Sequence, residues 1–315
     1  MKAISLLKTG GVENLKYIET DLPLASNNQV LVKVKAIGIN PIDIKCRANL
    51  EILKFICQAP PPLILGWDIA GIVTHTGKNV NDFKVGDRVF GMINFPGIGN
   101  AYSEIVACNA NQLAKIPNEI SFTDAAATSL AALTALQTLT KANIKTGDNV
   151  LIHSGSGGVG HFAIQIAKSL GAFVYTTCSR NNAEFVKSLG ADIHIDYRNE
   201  DFTQLIDNIT FTLDTLGGKN LLKSLKVMKQ NSVAISLPDG NFSDDILALS
   251  KEKNIDLSFY LVKSNGNDMR KLSNYIKDGT INVHVSKVFP FNEMARAHLE
   301  IESHHTVGKI VVKIT

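Results

Sequence analysis

Strong net charge, paired cysteines and long apolar runs are all missing from this chain of 315 residues. Charged residues make up 19% and the formal net charge is +3. With the basic residues dispersed, that excludes nucleic acid or a membrane surface as the expected main partner. Cys46, Cys57, Cys108 and Cys178 form no C-x-x-C pair and no framework spacing, so no disulfide scaffold is expected and a reducing compartment fits. Cys178 is expected simply to pack at a strand end. No stretch of about 20 apolar residues occurs, and the start, Met1-Lys2-Ala3-Ile4, reads as a strand rather than a signal region, so a cytoplasmic protein is expected. Internal repeats and low-complexity tracts are lacking too. What remains, 45% hydrophobic residues over this length, suits a globular chain of two domains.

Short alternating runs at 29–37, 69–75, 88–92 and 102–107 make the first 120 or so residues β-rich, with glycine and Asn/Asp turns between them. From Ser121 the pattern changes. Ser121 and Asp124 cap a helix through the alanine- and leucine-rich stretch 125–139. Strands at 150–153, 173–177, 193–195, 211–214, 232–237 and 255–262 then alternate with helices at 158–170, 181–189, 218–228 and 243–253, which predicts a parallel sheet wrapped by helices. Residues 263–315 carry helices at 267–277 and 292–301 and a closing strand at 308–314, expected to fold back onto the first part. The expected domains are therefore 1–122, 123–262 and 263–315, the last completing the first.

The most specific chemistry lies at 149–171. A buried strand is followed by Gly155, Gly157 and Gly160 at G-x-G-x-x-G spacing and by an apolar helical face of Phe162, Ala163, Ile166 and Leu170. This order builds a dinucleotide-phosphate site: Gly155 for the tight turn, Gly157 for backbone approach to the pyrophosphate, Gly160 for close helix–strand packing. Ser156, Gly157, Gly158 and Val159 are the turn residues expected against the coenzyme. The next strand ends in Ser179, Arg180, Asn181 and Asn182, and the first carboxylate, Glu184, already falls in the following helix. A strand end without an acid to hold a ribose 2′-hydroxyl, but with a hydroxyl and a guanidinium, favours NADP(H) over NAD(H). Arg180 can equally cap a solvated helix start, and Tyr197 can flank the same phosphate or pack on the sheet edge.

Five further segments extend this signature: 36–45 (A-I-G-I-N-P-I-D-I-K), 65–73 (L-G-W-D-I-A-G-I-V), 85–91 (V-G-D-R-V-F-G), 189–197 (L-G-A-D-I-H-I-D-Y) and 305–311 (H-T-V-G-K-I-V). Together they resemble the medium-chain dehydrogenase/reductase superfamily, in its zinc-independent quinone oxidoreductase and alkenal/enone reductase branch, over nearly the full length. The resemblance implies an α/β protein: a GroES-like β-rich catalytic domain plus a Rossmann domain with a doubly wound parallel sheet, substrate and nicotinamide meeting between them. It also implies a homodimer formed through the last Rossmann strand, where Leu257, Phe259 and Leu261 alternate. Thr134 resembles a position bordering the nicotinamide in relatives, although an ordinary helix threonine is the other reading.

Metal-dependent alcohol dehydrogenases of this superfamily hold catalytic zinc with a cysteine and the histidine of a Gly-His-Glu motif. Asn40 and Gly66-Trp67-Asp68 stand at those places here, and an amide and an indole cannot replace a thiolate and an imidazole. Residues 94–112 contain only Cys108 where a four-cysteine zinc loop would lie, so no metal is expected. His304 and His305, adjacent rather than at helical ligand spacing, read as surface residues. The candidate catalytic residues are Asn40, a donor to a substrate carbonyl; Lys45, a positive charge near the ribose or the developing oxyanion; and Asp43, orienting Lys45. Each has a plainer reading: Asn before proline is a usual turn residue, and an Asp–Lys pair is often structural. Tyr102 either lines the pocket or packs in a strand, and 50–57 forms either a hydrophobic substrate mouth or a buried helix.

Without zinc, hydride addition favours an acceptor that is already electrophilic, such as a quinone or a C=C conjugated to a carbonyl. Lysine at 45, where some quinone reductases carry tyrosine, tilts the expectation toward enones without excluding quinones. An NADPH-binding protein of low turnover with a regulatory or RNA-associated role is the alternative.

Overall fold

A computed structural model of the protein describes residues 1–314. The chain divides into two compact units. One comprises Met1–Leu133, Val262–Gly279 and the chain from Val283 onward; the other comprises Thr134–Leu261 with Thr280–Asn282.

In chain order the first unit begins with β1 (Lys2–Leu6), β2 (Leu15–Glu19), β3 (Gln29–Ile39), α1 (Pro41–Ala48), α2 (Leu50–Cys57) and β4 (Leu63–Ile64). It continues through β5 (Asp68–Thr76), β6 (Arg88–Met92), β7 (Ile105–Asn109) and β8 (Ala114–Lys115) into helix α3 (Phe122–Lys141). Strand β3 alternates, with Val30, Val32, Val34 and Ala36 buried, and then becomes buried on both faces at Ile37 to Ile39. Along its length β5 flanks it on one side, and β7 and then the C-terminal strand flank it on the other. The run predicted at 102–107 forms its strand at Ile105–Asn109. Tyr102 lies just before it, its backbone bonded to Leu65 and Ile4.

The second unit alternates β9 (Asn149–Ile152), α4 (Gly160–Ser169), β10 (Phe173–Cys178), α5 (Ala183–Ser188), β11 (Ile193–Asp196), β12 (Ile209–Asp214), α6 (Gly218–Val227), β13 (Met228–Ser236), α7 (Asp244–Glu252) and β14 (Asp256–Phe259). Its six strands are all parallel and ordered β11-β10-β9-β12-β13-β14. Numbered within the unit this is 3-2-1-4-5-6, the doubly wound Rossmann order. Strand β13 starts at Met228, earlier than the predicted 232, because Met228 pairs with Ile209 across a register shift.

The chain then returns to the first unit as α8 (Gly266–Lys277), β15 (Val285–Pro290), α9 (Met294–Glu302) and β16 (Lys309–Lys313). β16 pairs antiparallel with β3, with Ile310 opposite Ile39, and completes a seven-stranded sheet beside the three-stranded β2-β1-β4 sheet. This is the GroES-like β-rich architecture, closed by a strand from the far end of the chain.

Candidate active site

In the second unit, β9 leads into a turn whose left-handed residue is Ser154, at φ 54°. The sequence assigned the tight turn to Gly155; the structure gives that glycine another task. A Cβ on Gly155 would stand 2.0 Å from Thr176 Oγ1, and one on Gly160 2.2 Å from the Ser154 carbonyl oxygen. Gly155 thus admits β10, and Gly160 admits the turn onto α4. At Gly157 a Cβ would meet only Ser154, its carbonyl oxygen at 3.1 Å and its Cβ at 3.8 Å, a close contact but a far milder one than at Gly155 or Gly160. Ser156, Gly157, Gly158 and Val159 are all half-buried between β9 and the start of α4. At the start of α4 the His161 and Ala163 N–H groups are taken by Gly157 O and Val159 O, while those of Gly158, Val159 and Gly160 make no bond within the described residues, an arrangement suited to a phosphate. Beneath it His153 is fully buried, its ring bonded to Thr177 Oγ1 at 2.9 Å and Ser224 Oγ at 2.8 Å. Burial pushes its pKa down to about 4, so it is a neutral rivet.

Asn182, which the sequence reading passed over, links the turn to the end of β10. Its amide nitrogen donates to Ser156 Oγ at 3.1 Å and Ser179 Oγ at 3.3 Å. Arg180 is exposed, and its guanidinium makes no hydrogen bond or ion pair among the described residues. Glu184 lies in α5, turned to solvent and paired with Lys187 at 3.3 Å. Asp196, across from Cys178 in the sheet, accepts from Asn199 Nδ2 at 2.6 Å and Arg198 N at 3.2 Å. The Asn199 bond, foremost, holds its carboxyl below the usual range, and both of its oxygens are engaged within the protein. Tyr197 is 59% exposed, its hydroxyl accepting from Arg198 Nε at 3.3 Å. Thr134 is buried on α3. Two serine hydroxyls, an unengaged guanidinium and no available carboxylate fit a phosphate-bearing dinucleotide.

The first unit holds the candidate catalytic residues. Asn40 ends β3 and caps α1, a helix with Pro at its first turn and Asp43 at its third position. The sequence reading gave Asn40 a turn as its plainer alternative; proline at the first helical position and an acid at the third are helix start signals. The Asp43 carboxylate accepts the Asn40 backbone N–H at 2.8 Å. Sheet register adds two groups: Gly38 stands opposite Asp68 on one side, and on the other Ile310 opposite Ile39 brings Lys309 next to Asn40. Lys309 Nζ donates to Ile39 O at 3.1 Å and to Asn40 Oδ1. Asn40 Nδ2 donates to Asp68 Oδ2 at 2.8 Å, and Asp68 Oδ1 accepts the Leu130 N–H at 2.9 Å. Tyr102 OH, beside Asp43, is bonded to His298 Nε2 at 2.9 Å.

None of these side chains is exposed: Asn40, Asp43, Asp68, Tyr102, His298 and Lys309 all stand at 3% or less. Burial pushes Asp43 up to about 6 and Asp68 up to about 7, opposed by their hydrogen bonds and by Lys309. Burial likewise lowers Lys309, opposed by the two carboxylates. Lys45, by contrast, is exposed; the ammonium that acts on Asp43 is that of Lys309. Asn40 and Asp43 are therefore brought together, and Lys309 and Asp68 are the members the sequence did not announce. α2, left open above, is an amphipathic helix with Leu53, Ile56 and Cys57 inward and Phe55 outward. His304 and His305 are exposed.

The residues do not fit a metal ion. The Asn40 carboxamide is bonded to Lys309 and Asp68, and Trp67 Nε1 donates to Gly97 O at 2.9 Å. A buried ammonium also repels a dication. Among the described residues, no group of three or more His, Cys, Asp or Glu is arranged to hold one.

Two sequence-family profiles match the chain: "Alcohol dehydrogenase GroES-like domain" over residues 26–118 and "Zinc-binding dehydrogenase" over 189–312. The NADPH-dependent alkenal/one oxidoreductase of Arabidopsis thaliana is 33% identical over 324 residues, covering 99% of this chain and 79% of that protein. The 2-methylene-furan-3-one reductase of Solanum lycopersicum is 32% identical with the same coverage. Among solved structures, the quinone oxidoreductase from Coxiella burnetii superposes with a TM-score of 0.92 at 34% identity, over 100% of this chain and 99% of that one. The Escherichia coli quinone oxidoreductase complexed with NADPH gives 0.88 at 28%, over 99% and 100%.

Proposed function

Because this chain belongs to the quinone oxidoreductase and alkenal/enone reductase branch of the medium-chain dehydrogenases/reductases, we propose that it reduces quinones or α,β-unsaturated carbonyl compounds with NADPH. The observation that carries this reading is the end of β10, where Ser179 and Arg180 stand with no free carboxylate beside a glycine turn open to phosphate. NADPH, when bound there, supplies the hydride.

The chain's own residues bind and orient. Ser156, Gly157, Gly158 and Val159 take the pyrophosphate, Ser179 and Arg180 take the 2′-phosphate, and Tyr197 flanks it. Thr134 borders the nicotinamide. Asn40 is the donor in this reading: after its bond to Asp68, one Nδ2–H remains for a carbonyl oxygen, on which negative charge grows as hydride arrives. Asp43 holds the Asn40 backbone, and Lys45 supplies exposed positive charge. The acceptor must already be activated, since no Lewis acid fits among these side chains. Two features support the remaining expectations. Among the described residues β14 pairs only with β13, leaving an edge for a homodimer, and the four cysteines there are unpaired, which suits a reducing compartment such as the cytosol. Among the described residues no helix is long and apolar enough to cross a membrane.

Following NADPH absorbance while a quinone panel and an enone/enal panel are added tests the reading. Turnover with either class is expected; binding of NADPH without oxidation by any acceptor would replace it with a low-turnover binding role.

A further inference from the structure

We propose that Lys309 and Asp68 are positioning residues that fix which way the Asn40 carboxamide faces, so that its remaining N–H is presented as a donor to the substrate carbonyl oxygen. This rests on the catalytic reading of Asn40. An amide can turn over, exchanging oxygen and nitrogen with almost no change of shape. Here the partners forbid it. An ammonium only donates, which sets Oδ1 toward Lys309, and Asp68 in its ionised form only accepts, which sets Nδ2 toward Asp68. Turning the amide over would set N–H groups against an ammonium and an oxygen against a carboxylate.

Neither partner is free to follow Asn40. Lys309 also donates to the Ile39 carbonyl at 3.1 Å, and Asp68 also accepts the Leu130 N–H at 2.9 Å. Each arm of the clamp is thus tied to backbone, one through β3 and one through α3. The β16–β3 and β5–β3 registers set the spacing of the arms. A neutral residue at 309 would leave Asn40 Oδ1 buried without its donor, and with Asp68→Asn as well both amide orientations are open.

The experiment measures kcat, NADPH affinity by direct titration and Tm for Asn40→Ala, Lys309→Met, the pair Asp68→Asn/Lys309→Met, and the pair Asn40→Ala/Lys309→Met. Lys309→Met alone strands two buried carboxyl groups and can cost folding. Asp68→Asn/Lys309→Met removes one negative and one positive charge together and keeps the question answerable. The expected result is that this second variant regains Tm and binds NADPH as the parent does, yet remains about 10-fold or more slower in kcat. On the Asn40→Ala background, Lys309→Met then costs no further kcat. If kcat returns together with Tm in the charge-balanced variant, the lysine is only a counter-ion and the proposal is overturned. Equal losses from Lys309→Met with and without Asn40 overturn it as well. Full kcat in Asn40→Ala removes instead the catalytic reading on which it stands.

Discussion

Replacing Arg180 by alanine separates the two nicotinamide coenzymes. The guanidinium is exposed and unengaged by the protein, so its loss removes little from the fold and whatever it gives to a 2′-phosphate. A hydrogen bond to a charged group contributes about 1.5–3 kcal/mol, and solvent at this open strand end puts the value toward the lower part of that range. Ser179, still held by Asn182 at 3.3 Å, keeps its share. NADPH affinity should therefore fall by about 10-fold, 100-fold being the ceiling. NADH, with a hydroxyl in place of the phosphate, should bind almost as before. Calorimetric titration of both coenzymes, repeated at raised salt, reads this directly. The gap between NADPH and NADH should narrow with salt in the parent and nearly vanish in the variant. Equal losses for the two coenzymes, or no loss for NADPH, would refute the assignment of this strand end to the phosphate.

Two other substitutions probe the site from within the fold. Gly160→Ala sets a methyl 2.2 Å from a backbone oxygen and should cost about 1–3 kcal/mol of stability, whereas Gly157→Ala, with its nearest protein atom at 3.1 Å, should lower Tm less and weaken coenzyme binding. Denaturant titrations beside NADPH titrations check the contrast, and equal destabilisation by both would argue against it. Asp68, pushed up from 3.8 to about 7, keeps a proton in the folded state that the unfolded chain releases between about pH 4 and 7. Its contribution to stability therefore falls as pH rises through that window. Asp68→Asn should flatten that part of the stability–pH curve, and an unchanged slope would show that the proton resides elsewhere.

How much of this was readable in advance depends on how far each signal reaches. The glycine turn, the strand–helix alternation and the strand at Arg88–Met92 are local statements, made by residues within a few positions of one another, and the structure has them where the pattern put them. Strand Val285–Pro290 escaped notice because it is an edge strand with only Phe289 buried, so it shows no two-residue period. Ser154 was passed over for a different reason: the left-handed residue of a glycine turn is usually sought among its glycines.

The centre of the buried cluster lies beyond any local rule. A lysine in a terminal strand reads as solvent-facing, and nothing near Lys309 says otherwise. Its burial is decided 269 residues away, where β3 ends at Asn40, and by two carboxylates from separate elements, Asp43 on α1 and Asp68 on β5. A buried ammonium without such counter-charges would be expelled or neutralised. The three groups therefore specify one another, and it is the sheet pairing of β16 with β3 and of β3 with β5 that brings them together. Asn40 could be singled out from sequence as a donor at a vacated ligand position. What makes its amide point one way is the closing strand, a property of the folded sheet and of no segment within it.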